Sequence, residues 1–171
     1  MRLCPWADAI YGCDAPWWQN RRGLPEFHGV KLCHDTGICA THHDIHKIEI
    51  CDHDRMLFAE PGVIGSGGNS GFQAINIAAQ FGAGRLLLLG FDMHAANGMH
   101  WYGMNTGPNM RNPTDHNYVR WRKALSDQAS VLAGMGFDVI NTSMDSALEC
   151  FEKMTVEAAL MRWGIARHGF R

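Results

Sequence analysis

The sequence predicts an α/β fold: a mostly parallel sheet with helices on both faces, a three-layer sandwich forming a single domain over residues 1–171. Three observations lead there. From Gly65 onward, segments of helical period alternate with short apolar runs, the pattern of β–α units. The run Leu86-Leu87-Leu88-Leu89-Gly90-Phe91 is continuously apolar, as in a parallel strand covered on both faces. And 171 residues with 46% hydrophobic and 19% charged content describe a globular chain able to bury one core.

The elements follow in order. Ala7 to Tyr11 reads as a short strand ending at Gly12. Asp14 is a candidate helix cap, and Pro16 suits the first turn of a helix through Trp17-Trp18 to Gly23. Adjacent tryptophans cannot share one helix face, so at least one is expected to pack under a neighbouring loop. Val30 to Cys33 is a second strand, Asp35 to Asp44 a loop, Lys47 to Cys51 an edge strand, and Asp52 to Pro61 a connector. Phe72, Ile75, Ile77, Ala78, Ala79 and Phe81 fall near helical spacing, with Ser70 as expected N-cap and Gly82 and Gly84 ending the helix. In the leucine run that follows, Leu87 and Leu89 are expected to be nearly fully buried. Asn97 to Asp115 is a long loop rich in Asn, Gly and Pro; loops of that length in compact domains are commonly functional. Thr114 or Asp115 caps a helix from His116 to about Gly134. Gly136 to Asn141 is turn plus strand, Ser143 to Ser146 starts a short segment with Leu148 and Phe151, and Thr155 opens a last helix with Glu157 near its positive end.

Composition narrows the function classes. A net charge of −2 gives no electrostatic case for nucleic acid. No apolar run is long enough to span a bilayer as a helix, and the start MRLCPWADAIYG lacks the design of a signal peptide. The six cysteines are therefore read as reduced thiols of a cytoplasmic protein, with no CxxC pair to suggest a zinc knuckle.

The stretch Gly65 to Tyr102 carries the functional reading. Gly65, Gly67 and Gly68 let backbone approach a ligand closely, and free N–H groups at a helix start favour an anion such as phosphate. The spacing is neither that of the P-loop nor GxGxxG, so a plain turn before a helix is the competing reading. Asp92 lies just past the apolar strand, where open α/β sheets place ligands. Ten histidines are many for this length. His34, His42, His43, His46 and His53 crowd the first third among aspartates, but no HExxH pattern occurs and a polar surface loop is the default reading. His94, His100 and His116 surround the predicted mouth together with Asn97, Tyr102, Asn105 and Tyr118, and a neutral imidazole there suits a general base. Ser70 lies in GNSG, not in the GxSxG elbow of a nucleophile. Trp101, Tyr102 and Trp121 offer faces for a base or sugar, or simply fill core.

Ser70-Gly71, a helix, Gly90-Phe91-Asp92, Asn97-Gly98, Tyr102 and then His116-Asn117-Tyr118, in that order, resemble the bacterial lipooligosaccharide sialyltransferases. They also resemble the wider sialyltransferase-like group, which includes hydroxymethylpterin diphosphokinase-like proteins and phage proteins. The similarity runs from about Gly65 to Phe151. It implies a Rossmann-like domain and a glycosyltransferase-like activity on a nucleotide-activated sugar, CMP-linked, with no essential cofactor and no metal. By position it implies a donor site of Gly68, Asn69, Ser70, Gly71, Asp92, His94 and Tyr102 (or His100), with His116 as general base. In the family a strand and a Gly-Pro-Ser-type nucleotide loop precede the segment resembling PWADAIYGCDAPWW. Here that segment begins at Pro5, so the resemblance implies a chain without that loop. Two further readings stand beside it. One is a non-catalytic nucleotide or nucleotide-sugar binder, phage-encoded and working in the host cytoplasm. The other is a magnesium-dependent diphosphate transferase acting on a pterin-like alcohol, with Asp92 and Asp115 as carboxylates. The expected partner is a nucleotide or nucleotide sugar; the acceptor and self-association as a homo-oligomer are left open.

Overall fold

Every strand ladder among the described residues is parallel. The structure, a computed structural model, describes residues 4–100 and 102–165; Trp101, one of the aromatic candidates above, lies outside them. The first ladder is β1 (Ala9–Tyr11), β2 (Val30–Cys33) and β3 (Ile45–Lys47), connected by α1 (Ala15–Asn20) and α2 (Thr36–Thr41). The second joins β4 (Glu49–Cys51) to β5 (Val63–Gly65). After α3 (Ser70–Gln80), the third is β6 (Arg85–Leu88), β7 (Asp138–Asn141) and β8 (Glu152–Lys153), with α4 (Asp115–Gly134) crossing between β6 and β7. Helix α5 (Val156–Arg162) follows β8. The chain is thus α/β with parallel pairing, as its alternation of periods predicts.

Several elements depart from the sequence expectations, each for a definable reason. The segment expected as loop from Asp35 to Asp44 contains α2, because the Asp35 side chain accepts from Ile38 N at 2.8 Å and caps a helix start. The edge strand expected from Lys47 to Cys51 is instead the last residue of one strand and the whole of the next. Ile45–Lys47 pairs with β2 and Glu49–Cys51 pairs with β5, while buried Ile48 between them donates its N–H to Cys33 O at 2.8 Å. β5 and β8 are too short, at 3 and 2 residues, to leave a periodic signal.

The cap of α3 is Asn69, whose side chain accepts from Phe72 N at 2.9 Å; Ser70 is the first helical residue instead. In the leucine run, strand pairing stops at Leu88 and Gly90 takes a φ of +72°. Leu86 and Leu88 face the core, Leu87 is half-buried, and Leu89 is 63% exposed. The expectation for Leu87 and Leu89 was therefore of the wrong parity: alternate residues point to opposite faces, and only one face is deeply covered.

The main core packs Phe72 and Ile75 of α3 and Leu125 and Leu132 of α4 against Leu86 and Leu88, with Leu148 beneath. A second cluster surrounds Trp18, which is fully buried and donates Nε1–H to Gly12 O at 2.9 Å. Leu32, Ile48, Ile64 and Ile77 form a third cluster that ties the first two ladders to α3. Among the described residues no helix is long and apolar enough to cross a membrane.

Candidate functional site

Three glycines shape the start of α3 around the Asn69 cap. Gly67 and Gly68 take φ values of +54° and +72°, and a Cβ on Gly67 would lie 2.1 Å from the Phe72 ring. A Cβ on Gly71 would come within 2.9 Å of the Phe91 ring, so the first turn of α3 rests directly against the segment leaving β6. Helix α4 closes the third side. Its start is fixed by a capping box in which Asn117 Oδ1 accepts from Thr114 N at 2.8 Å while the Thr114 hydroxyl accepts from Asn117 N. One turn on, Trp121 donates Nε1–H to Gly68 O at 2.7 Å, and Arg122 donates to Met93 O at 2.7 Å. These bonds lock α4 to both the glycine loop and the β6 exit.

Between these three walls lies a cleft of about 550 Å³, a size typical of small-molecule sites. Asn69, Ser70 and Gly71 form its α3 wall, Phe91, Asp92 and His94 its β6 wall, and Tyr118 and Trp121 its α4 wall. A second cavity of about 690 Å³ adjoins it across Asn69, Ser70, His100, Pro113 and Trp121. Its far side is formed by Tyr11, Trp17 and the long loop around Asn105 and Arg111.

The structure gathers most of the sequence-predicted residues. Asn69, Ser70, Gly71, Asp92 and His94 line the cleft, and Gly68 lines the adjoining cavity. Tyr102 is 54% exposed and lines only the second cavity, stacked on His100 with ring centroids 4.9 Å apart and donating to Asn105 Oδ1 at 3.1 Å. His116 is exposed on the first turn of α4 and lines neither cavity. The histidine-rich first third is dispersed: His34 bonds the Tyr11 hydroxyl, and the His42 ring lies over Gly23. Among the described residues no group of three His, Cys, Asp or Glu is placed to hold a metal ion, and all six cysteines are free thiols.

No family model, no curated protein and no solved structure matches the chain. The chemistry of the cleft rests on its own groups.

Both ring nitrogens of His94 are engaged. Nδ1 accepts from Ala96 N at 3.1 Å, which leaves the proton of the neutral ring on Nε2, 3.0 Å from Asp145 O. His100 Nε2 accepts from Asn105 Nδ2 at 3.2 Å, an amide held in that orientation by its bond to Arg111 O. Neither histidine offers an open nitrogen on the side so fixed. Tyr118 is 7% exposed, and its hydroxyl has no hydrogen-bond partner among the described residues. Burial first, then the charges of Asp115 and Asp92, push its pKa up, so it stays protonated and remains a donor. The Asp92 carbonyl is held by Ala147 N at 2.8 Å and by the Ser146 hydroxyl at 3.2 Å. No hydrogen bond engages its carboxylate among the described residues. Burial pushes the Cys13 thiol, on the second cavity, up to about 12, helped by Asp14 and opposed by the Ser70 hydroxyl. It is no nucleophile near neutral pH.

The second cavity and the wall-forming bonds of Trp121 and Arg122 were not legible in the sequence. They join residues far apart in the chain, and tryptophan and arginine in a helix carry no local sign of such a role.

Proposed function

We propose that the cleft binds a nucleotide or a nucleotide-activated sugar, with a phosphate at the start of α3, and that the protein is a glycosyltransferase-like domain of the CMP-sugar type. One observation carries the reading. Ser70 and Gly71, the first residues of α3, line the cleft, and the side-chain cap of that helix, Asn69, accepts from Phe72 N rather than from theirs. A helix start supplies donors and partial positive charge to an anion. Phe91 and Trp121 add apolar faces on which a base or sugar ring can rest.

The position of His116 favours the second reading, a binder that does not transfer. A general base needs hydrogen-bond reach of the proton it removes, and His116 lies outside the cleft wall. The magnesium-dependent alternative draws on Asp92 and Asp115, of which only Asp92 lines the cleft.

A thermal-shift and calorimetric screen of nucleotides and nucleotide sugars tests the proposal, since a ligand of the native state raises Tm. CMP or a CMP-sugar is expected to raise Tm, and Gly71→Ala, which pushes a methyl toward Phe91, is expected to abolish the shift. Release of free sugar from the donor marks transfer activity; binding without release supports the binder. A screen in which no nucleotide alters Tm refutes the assignment.

A further inference from the structure

The larger of the two adjoining cavities, about 690 Å³, shares one wall with the proposed nucleotide cleft and otherwise lies outside it. Most of its polar groups are already spent. Asn105 Nδ2 donates to Arg111 O at 2.9 Å, and Asn105 Oδ1 accepts from the Tyr102 hydroxyl. Asn112 donates to Asn105 O at 3.1 Å and accepts from Asn105 N at 2.8 Å. The Tyr11 hydroxyl donates to Gln73 Oε1 at 3.0 Å, and Asn117 Oδ1 holds the Thr114 cap. A saccharide in this cavity would find few open partners for its many hydroxyls, each costly to desolvate unpaired.

Two opposite charges remain. Asp14 is the N-cap residue of α1, yet its carboxylate makes no cap bond. The reason is local: Pro16 has no N–H to offer, and Trp17 N donates instead to the backbone Asp14 O at 3.0 Å. The Arg111 guanidinium forms no hydrogen bond or ion pair among the described residues, while its backbone is held through Asn105. Both side chains line this cavity, and neither lines the nucleotide cleft. The rings of Trp17 and Trp121, and Tyr102 stacked on His100, give the same cavity apolar surface. One carboxylate and one guanidinium balance, so the cavity favours neither a lone anion nor a lone cation. It complements a molecule that carries both charges on an apolar body, each end making a charge-assisted bond.

We propose that the second cavity binds a small zwitterion of the amino-acid class, with its ammonium at Asp14, its carboxylate at Arg111 and an apolar side chain against the aromatic rings. The inference stands on the second cavity and does not need the nucleotide reading of the first.

Thermal-shift measurements with each standard L-amino acid, followed by calorimetry on the best binder, test it. An amino acid with an apolar side chain is expected to raise Tm. Its decarboxylated amine and its deaminated acid are each expected to bind the wild type about tenfold or more weakly, the scale of a lost hydrogen bond to a charged group. Arg111→Gln removes the preference over the amine, and Asp14→Asn removes the preference over the acid. Both residues are exposed, so the two variants are expected to melt like the wild type. The proposal is overturned if no amino acid raises Tm, if galactose or N-acetylglucosamine does so where no amino acid does, or if the best binder ignores both substitutions. CMP titrated in parallel keeps the two sites apart. CMP binding without amino-acid binding sinks the zwitterion site alone, and amino-acid binding without CMP binding sinks the nucleotide site alone.

Discussion

Asn76, in the middle of α3, pairs its side-chain amide with the backbone of Leu57 as a neighbouring strand would: Oδ1 accepts from Leu57 N at 2.9 Å and Nδ2 donates to Leu57 O at 2.6 Å. The same Oδ1 accepts from Gly65 N at 3.3 Å, and Asn76 is fully buried. Gln80 and Gln128 repeat the device, holding the backbone around Leu57, Gly62 and Met56. The connector before β5 is thereby satisfied by helix side chains, as buried backbone requires.

Asn76→Ala is expected to destabilise the protein by about 3 kcal/mol, because it strands buried backbone groups of Leu57 and Gly65. Asn76→Asp is expected to fare no better, since it loses the donor and buries a charge. Urea unfolding checks both. A loss within experimental error would mean that the connector stands without the amide.

Gly65 and Gly82 make a contrasting pair. A Cβ on Gly65 would lie 1.8 Å from Arg55 O, whereas nothing lies within 4 Å of one on Gly82, whose φ is +87°. Gly82→Ala is expected to cost only the backbone strain of a left-handed residue, about 1 kcal/mol. Gly65→Ala forces two backbone segments apart and is expected to prevent native folding or lower Tm far more. Equal Tm losses in the two variants would contradict this packing.

Along β6, Leu88→Ala is expected to cost about 2–5 kcal/mol as a core truncation, and Leu89→Ala less than about 0.5 kcal/mol as an exposed one. The reverse order would restore the parity expected from the leucine run alone.

Lys31 is 3% exposed and donates to Gly23 O and to Asp44, whose carboxylate is itself largely exposed. The Lys31 hydrogen bond holds the Asp44 pKa below the usual carboxylate range. A depressed folded-state pKa contributes stability that is present above the unfolded value, near pH 4, and is lost as pH falls through the lower folded value. Solvent screening at Asp44 keeps this contribution below about 1 kcal/mol. Asp44→Asn should lower stability by that amount at neutral and alkaline pH and flatten the acid limb, so that the two proteins converge once Asp44 is protonated.

Tyr118→Phe removes a buried hydroxyl that has no partner among the described residues. The free protein is expected to keep or gain stability, by up to about 1 kcal/mol, with nucleotide affinity little changed, since the hydroxyl is buried away from the cleft surface. His116→Ala is expected to leave that affinity unchanged. Calorimetry of both variants, with melting curves in parallel, separates a ligand contact from a structural one; a destabilised Tyr118→Phe would point to a structural role.

The sequence by itself determined what is local. The bounds of β2, the end of β7, the helical stripe of α3, the start of α4 at Thr114 or Asp115 and the parallel α/β class follow from caps, glycines and apolar period, which act over a turn or a few residues. It also marked the glycine loop, Asp92 and His94 as neighbours of one mouth. Tertiary structure decided the rest. It split residues 45–51 between two ladders, since pairing depends on which strand lies alongside. It turned Leu89 outward and left Leu86 and Leu88 inward, because coverage of a face comes from helices elsewhere in the chain. It set His116 on the outer surface while the Trp121 bond to Gly68 drew the following turn of α4 into the cleft wall. A cleft is enclosed by side chains that meet only when distant segments pack, and no periodicity within one segment encodes which partner it will meet.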